Sequence, residues 1–297
     1  MKRFLQLMVS LLIFGSITVF AQPTTTSAKN NGEIVEQGEC WADAFTGYEQ
    51  YTGMTRGKYT RETEAAKAEN FKVDYMKDFE KRIVSKEEFE KRKAFAGLEC
   101  RRIKYMSDGL KVTGIIWKPK DTTGKKLPLI IYNRGGNREF GKLIFAYNYI
   151  LHPFVANGFV VIGTQYRGVD GGEGKEELGG AEVNDILNLI PLAKSLGYVD
   201  MNNVFMFGES RGGMMTYLAL KNKIPVNAAA VNAAPSDLIL GLKNRPGFAQ
   251  TYKEMMPDFD KRSDELVPER SAVYWADKIN TPLLMLQGGA DWRVEPI

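Results

Sequence analysis

The pattern of apolar and polar positions changes near residue 98. Between residues 22 and 97 apolar residues are sparse, whereas downstream short apolar runs alternate with segments of helix length, such as 181–196 and 214–221. Runs that are apolar on both faces suit strands buried in a parallel sheet. The sequence therefore predicts an α/β fold, with a mostly parallel central sheet and helices on both faces. The strand candidates are 101–106 and 111–117, joined by a Ser107-Asp108-Gly109 turn, then 127–132, 159–164, 204–207, 228–231 and 283–286.

The first residues have the layout of a secretory signal. Lys2 and Arg3 precede an apolar stretch over 4–20, and Ala21 offers a small residue at the cleavage point. We expect a signal peptide over 1–21 and export to the periplasm or the exterior, with no stable membrane association after cleavage. An uncleaved anchor is the alternative, although the run is marginal for spanning about 30 Å of hydrocarbon.

The remaining chain divides into three predicted parts. Residues 22–38 are polar and predict a flexible tether. Residues 39–98 predict a mostly helical extension, in which Ser85 and Glu88 form a capping box and Gly97 is a plausible helix end. Residues 99–297 form the α/β domain, and 242–268 within it predict a small helical lid or flank.

Composition narrows the possible partners. The net charge is +4 and basic residues are interleaved with acidic ones, which argues against nucleic-acid binding. Cys40 and Cys100 form a disulfide in an oxidising compartment or remain two unrelated thiols. Two cysteines and one histidine supply too few ligands for a zinc site, so no metal is expected. The sequence does not indicate an oligomeric state.

The strongest chemical signal is Gly208-Glu209-Ser210-Arg211-Gly212, which lies between a predicted strand and a predicted helix. A nucleophilic serine in such a turn needs glycines on both sides, because larger side chains would collide there. The turn holds the Ser210 hydroxyl above the sheet. It also leaves the backbone N–H of Arg211 at a helix N-terminus, where it can stabilise an oxyanion.

With these residues the chain resembles the catalytic domain of the prolyl oligopeptidase family within the α/β-hydrolases. The resemblance runs from about Ile103 to Val294, with its segments in the family's order. It implies an α/β-hydrolase fold and a serine peptidase. The segments that carry it are Ser107-Asp108-Gly109-Leu110, Leu127–Tyr132, Tyr166-Arg167-Gly168 with the glycines to Gly180, Gly208–Gly213, Ala276–Leu284 and Gly288-Gly289-Ala290-Asp291-Trp292-Arg293-Val294.

A catalytic triad in such a fold runs serine, acid, histidine along the chain. Asp291 follows an apolar strand and a Gly-Gly turn, which places it at a strand's carboxyl end. Its expected role is to orient the histidine and stabilise the imidazolium. Nothing in the sequence places the weaker rivals opposite Ser210; these are Glu209, Asp170 and Asp185.

The loop after the strand at 127–132 is the predicted oxyanion side. Gly135 and Gly136 let the backbone approach a substrate carbonyl and donate from their N–H groups. Relatives carry His-Gly-Gly or an oxyanion tyrosine in this loop, whereas this chain has Arg134. We expect Arg134 either to bind a substrate carboxylate or to pair with an acid such as Glu139.

The triad histidine implied by the resemblance is missing. The family's histidine lies some tens of residues beyond the acid, but six residues follow Asp291 and none is histidine. The one histidine, His152, lies in a predicted helix over 145–156 that leads away from the reactive edge. Our hypothesis is that the 297 residues are a truncated reading of a longer protein, lacking a last strand and helix, and that this form is inactive.

The expected chemistry is hydrolysis of an amide bond in a small peptide substrate, with no metal or organic cofactor. The extension is far too short for the β-propeller that gates many oligopeptidases of this family. An exported carboxylesterase acting on ester substrates is therefore a serious alternative. A non-catalytic protein that keeps the fold as a binding surface is a second one.

Overall fold

The structure, a computed structural model, describes residues 30–40, 47–94, 97–143 and 148–294. The predicted signal peptide and the first part of the predicted tether, up to residue 29, lie outside the described residues. Within the described ranges, no helix combines the length and apolar character needed to cross a bilayer.

A single eight-stranded sheet organises the α/β domain, in the order β1-β2-β3-β5-β4-β6-β7-β8. The last five strands along the chain pair in parallel, while the first three form an antiparallel flank. This confirms the predicted mostly parallel sheet. The strands are β1 Ile34–Glu39, β2 Leu98–Ser107, β3 Leu110–Pro119, β4 Leu127–Asn133, β5 Val160–Thr164, β6 Val199–Glu209, β7 Ala228–Asn232 and β8 Leu283–Leu286.

The predicted tether over 22–38 is wrong for its last residues, because Ile34–Glu39 forms β1 and pairs antiparallel with β2. The mostly polar sequence of this segment suits an edge strand, which keeps one side and much of its surface in water. Directly after β1, Cys40 is disulfide-bonded to Cys100, with 5.4 Å between the Cα atoms. The bond fixes β1 to the neighbouring strand.

Helices cover both faces of the sheet. On one face Leu151 and Val155 pack with strand residues such as Trp117 and Tyr132. The other face carries a larger core with the remaining helices of the domain. These elements are α4 Asn148–Ala156 on the first face, and α5 Val183–Leu187, α6 Leu189–Ser195, α7 Arg211–Lys221, α8 Leu238–Asn244, α9 Phe248–Met255 and α10 Phe259–Glu269, with short 3-10 turns at Ala272–Tyr274 and Ala276–Lys278.

The helix predicted over 181–196 is interrupted at Asn188, between α5 and α6. Pro191 explains the interruption, because it has no N–H to donate to the carbonyl of Leu187. The lid or flank predicted over 242–268 is helical, and comprises α9, α10 and the end of α8.

Residues 47–94 form an extension of three helices, called the arm below: α1 Tyr48–Ala68, α2 Phe79–Arg82 and α3 Lys86–Lys93. The Oγ of Ser85 accepts a hydrogen bond from the Glu88 N–H at 3.2 Å, as the capping pattern predicts. The helix ends at Lys93, before the predicted stop at Gly97. The arm packs α3 against α1 and against α4 of the main domain.

Candidate active site

Ser210 lies between the carboxyl end of β6 and the first residue of α7. Its backbone has φ 54° and ψ −126°, a conformation that non-glycine residues rarely adopt and that costs free energy. The Ser210 N–H donates to the Asn232 carbonyl at 2.8 Å, which ties the turn to the end of β7. The strain is held by the surrounding sheet and helix.

Close packing explains the glycines around the turn. A Cβ on Gly212 would lie 1.9 Å from the Asn133 carbonyl oxygen, and one on Gly208 would lie 2.3 Å from Thr216 Oγ1. The same Thr216 hydroxyl accepts from Asn133 Nδ2 at 2.8 Å and donates to the Gly212 carbonyl at 2.9 Å. Only glycine allows α7 to approach the end of β4 this closely.

The predicted oxyanion loop lies against the serine turn. A Cβ on Gly135 would lie 3.2 Å from the Cβ of Ser210 and 3.0 Å from the Glu209 carbonyl oxygen. Gly136 has φ +71°, a left-handed conformation that favours glycine. The N–H of Arg211 belongs to the first turn of α7, where no earlier carbonyl of the helix can accept it. The structure thus brings Ser210, Gly135 and the Arg211 amide together.

Arg134 lies inside the protein, behind the oxyanion loop, rather than on a surface that a substrate could reach. The residue is 0% exposed, which does not suit the predicted contact with a substrate carboxylate. It does pair with an acid, but the acid is Glu176, whose Oε2 lies 3.8 Å from Arg134 Nη2. The named candidate, Glu139, pairs with Lys142 at 2.6 Å instead. The Arg134 guanidinium donates to the carbonyls of Gln165, Gly135, Phe140 and Arg138 at 2.8–3.2 Å. Burial demands this, because a guanidinium removed from water needs partners for its N–H groups. Arg134 therefore shapes the oxyanion loop from inside.

The guanidinium of Arg211 makes a second buried connection. It contacts the carboxylate of Glu176, and its Nη2 lies 2.7 Å from Glu182 Oε1. Its Nη1 also donates to the Gly136 carbonyl at 3.2 Å. Burial opposes the charge, but Glu182 and Glu176 outweigh it and raise the pKa of Arg211. The residue after Ser210 thus joins the serine turn to the oxyanion loop.

Tyr166 lies between the two buried arginines. The guanidinium carbon of Arg134 is 5.0 Å from its ring centroid and that of Arg211 is 4.9 Å away. The Tyr166 hydroxyl donates to the Arg134 carbonyl at 3.1 Å. Both cation–π contacts are desolvated, where such contacts are strongest.

The rival acids have other structural partners. Asp185 is buried and binds Arg167, with Nη2 to Oδ1 at 2.7 Å, while Ser107 Oγ donates to it at 2.6 Å. Asp170 lies 3.0 Å from Arg102 Nε. Glu209 accepts from the Tyr132 hydroxyl at 3.1 Å, on the α4 side of the sheet. Each carboxylate is engaged in holding loops or strands together.

Asp291 follows the carboxyl end of β8, two strands away from Ser210. Register places Glu209, Asn232 and Leu286 side by side, so the ends of β6, β7 and β8 lie level. Two strand spacings amount to about 10 Å. The Asp291 Oδ1 accepts from the N–H groups of Arg293 and Val294 at 2.9 and 3.0 Å. The carboxylate is thus fixed at the same edge of the sheet as the serine.

His152 lies on α4, as expected for an ordinary helix residue. It is buried, and its surroundings include α3 of the arm. Burial, reinforced by the positive charge of Arg92, lowers its pKa. The structure therefore places this histidine on the side of α4 that faces the arm. Residues 145–147 of its predicted helix lie outside the described part of the chain.

Glu176, Glu182 and the Arg211 side chain belong to the site but are not among the residues predicted from the sequence. The available signal was the position of these two glutamates among five acids in the glycine-rich segment 168–180 and just after it, close to a Tyr-Arg-Gly motif. Acids in such a segment are expected at the surface. In the structure, this loop lies over α7 and buries these two glutamates. Only the three-dimensional path reveals that they neutralise Arg211.

Comparison with known sequences identifies the family. The prolyl oligopeptidase family matches residues 145–297, which include Ser210 and Asp291. The chain belongs to the prolyl oligopeptidase family. It is 30% identical to the uncharacterized peptidase YtmA of Bacillus subtilis over 196 residues, 64% of this chain and 72% of that protein. It is 26% identical to dipeptidyl-peptidase 5 of Porphyromonas gingivalis over 66% of this chain but 30% of that protein.

Solved structures show the same fold. The acylaminoacyl peptidase of Pyrococcus horikoshii superposes with a TM-score of 0.60 at 22% identity, covering 71% of this chain and 35% of that one. A Mycobacterium tuberculosis puromycin-hydrolyzing peptidase gives a TM-score of 0.57 at 22% identity, over 67% and 32% of the chains. These are α/β-hydrolase-fold peptidases, so the predicted fold is confirmed. The chain spans about a third of the length of these two larger proteins.

Proposed function

We propose that this protein is a serine peptidase in which Ser210 attacks the carbonyl carbon of an amide bond in a small peptide. The single observation that carries the proposal is the strained conformation of Ser210 at the carboxyl end of a central parallel strand. Strain at such a position persists only where the fold enforces it. Membership of the prolyl oligopeptidase family supports the choice of an amide substrate.

The surrounding groups support the chemistry of acyl transfer. When Ser210 Oγ bonds to the carbonyl carbon, the carbonyl oxygen becomes negative. We assign its stabilisation to the N–H of Arg211 and to the N–H groups of Gly135 and Gly136. The proposed role of Asp291 is to accept a hydrogen bond from an imidazole lying between it and Ser210. The steps use protein groups, substrate and water.

The proton acceptor is the incomplete part of this mechanism. His152 lies on α4, and the sequence has no second histidine. Removing the histidine from a serine-protease triad lowers turnover by about 10⁶-fold. We therefore propose that the 297-residue form turns over very slowly unless an imidazole is supplied, by further sequence or from solution. The supplied imidazole would take the Ser210 proton and return it to the leaving amine.

We also propose that the protein acts after export. The signal-like sequence at 1–21 motivates the proposal, and the bond between Cys40 and Cys100 supports it, because disulfides persist mainly in oxidising compartments. Fractionation of cells that express the full chain tests it directly. Recovery of the disulfide-bonded protein with an intact N-terminus from the cytosol would contradict export.

Labelling with a fluorophosphonate probe tests the nucleophile. We expect slow labelling that rises with added imidazole, and no labelling of Ser210→Ala under either condition. Ser195→Ala is the matched control, because Ser195 is exposed and donates to the Leu192 carbonyl on α6. Labelling that survives in Ser210→Ala would contradict the proposal, and silence in every form would favour a non-catalytic binding protein.

Substrate comparison separates a peptidase from an esterase. Chromogenic dipeptide amides and short p-nitrophenyl esters are assayed with and without imidazole. A peptidase cleaves the amides in a Ser210-dependent reaction, whereas an esterase turns over only the esters. Asp291→Asn should lower either turnover, because the imidazole loses the acceptor that fixes its orientation.

A further inference from the structure

The residue next to the proposed acid is enclosed by the arm. Trp292 is 1% exposed, although it follows β8, three of whose four residues are exposed. Its ring lies 5.8 Å from the Phe71 ring, centroid to centroid. The guanidinium carbons of Arg245 and Arg293 lie 4.7 and 4.5 Å from the Trp292 centroid. An aromatic side chain of the arm and two cations therefore surround this tryptophan.

The arm also holds both cations. Arg293 Nε lies 2.6 Å from Glu62 Oε2 on α1. Arg245 is bidentate to Glu69 at the end of α1, with distances of 2.7 and 2.8 Å. The Nη1 of Arg245 donates in addition to the Arg293 carbonyl at 3.2 Å. Bidentate pairs of this kind fix orientation as well as position.

These contacts reach the carboxylate of Asp291 through the backbone. The amide of Arg293 donates directly to Asp291 Oδ1. The arm holds the Arg293 side chain through Glu62, and Arg245, which is itself paired with Glu69 of the arm, holds the Arg293 carbonyl. Movement of Arg293 would therefore turn the Asp291 carboxylate. The strand that precedes the loop cannot resist such movement well, because Leu284, Met285 and Leu286 are exposed.

We propose that the arm is a positioning element for the catalytic acid. Glu62 and Phe71 are its positioning residues, and they act through Arg293 and Trp292. The inference rests on the proposed role of Asp291 and adds a partner for it within the chain. A carboxylate that orients an imidazole must itself be held, and here the hold comes from a segment more than two hundred residues earlier in the sequence.

Hydrogen exchange of the acid loop tests the contact independently of activity. Glu62→Gln should speed exchange of the Arg293 and Val294 amides by roughly 2- to 5-fold, the value of an exposed ion pair. Phe71→Ala should speed it by up to about 10-fold, as expected for a lost aromatic pair. Glu64→Gln is the matched control, because Glu64 is exposed and lies on α1 two residues after Glu62. Exchange of the Ile131 amide in β4 should not change.

A functional assay distinguishes an arm that orients the Asp291 carboxylate from an arm that only stabilises the loop. In the imidazole-supplemented labelling assay, Phe71→Ala should lower the Ser210 rate while Phe71→Tyr restores it. Equal exchange in Glu62→Gln, Phe71→Ala and Glu64→Gln would overturn the arm contact. If Ser210 labels normally but Asp291→Asn has no effect, the acid role fails, and the positioning proposal fails with it. If Ser210 never labels, the exchange data still decide whether the arm holds this loop.

Discussion

The two halves of the candidate site are built differently. The serine side lies in the middle of the sheet, where Gly212 meets the end of β4 and Arg211 is buried between two carboxylates. The acid side lies beside an edge strand whose outer residues are exposed. There, Asp291 is held by its own loop and by the arm rather than by the core.

This difference separates two ways of fixing a catalytic group. Serine geometry is a consequence of folding, because the same contacts that stabilise the core enforce the strained turn. Acid geometry is a consequence of docking, because it depends on contacts between the arm and the loop that follows β8. Substitutions on the serine side should therefore cost global stability, and those on the acid side should act locally.

The largest effect is expected for Arg211→Met. The substitution removes the cation that contacts buried Glu182 and leaves buried Glu176 with Arg134 at 3.8 Å. This should lower the free energy of unfolding by about 3–5 kcal/mol. Urea denaturation followed by circular dichroism measures the loss. Arg262→Met is the control, since Arg262 pairs with Glu265 on the surface of α10 and should cost at most about 1 kcal/mol. Equal costs would contradict the buried network.

A smaller but still global effect is expected for Gly212→Ala. The added Cβ would meet the Asn133 carbonyl oxygen at 1.9 Å, so α7 must shift, at a cost of about 1–3 kcal/mol. Gly241→Ala in α8 is the matched control, because a Cβ there meets no atom within 4 Å. Alanine should stabilise that helix by about 0.5–1 kcal/mol. Denaturation midpoints of the two variants should move in opposite directions.

Local pattern explains what the sequence could predict. The β8 strand is a continuous apolar run, and β4 and β6 contain such runs at 127–132 and 204–207. The glycines at 208 and 212 mark the turn that Ser210 occupies. Each of these signals lies within about ten residues of the feature it predicts. The strand β1 was missed because its residues are mostly polar, and its partner β2 begins almost sixty residues later.

Long-range electrostatics explains what could not be predicted. Arg134 stands in the oxyanion loop, and only its burial shows that it binds backbone carbonyls rather than substrate. Glu62 and Arg293 are 231 residues apart, and no periodicity links them. A charged residue is usually at the surface. The exceptions depend on which loops meet, and a single sequence does not show this.

The smallest change in stability is expected at the exposed edge itself. Met285 on β8 is 60% exposed, so Met285→Lys should alter the free energy of unfolding by no more than about 0.5 kcal/mol. The same substitution should reduce aggregation, because a lysine on an edge strand opposes pairing with another chain. Met206→Lys on β6 is the matched control: Met206 is 2% exposed, and an unpaired ammonium there should cost more than about 3 kcal/mol. Light scattering and denaturation of both variants provide the measurement. A large loss of stability in Met285→Lys would mean that this face of β8 is packed in solution, and that packing would then hold the acid side together with the arm and the loop of Asp291.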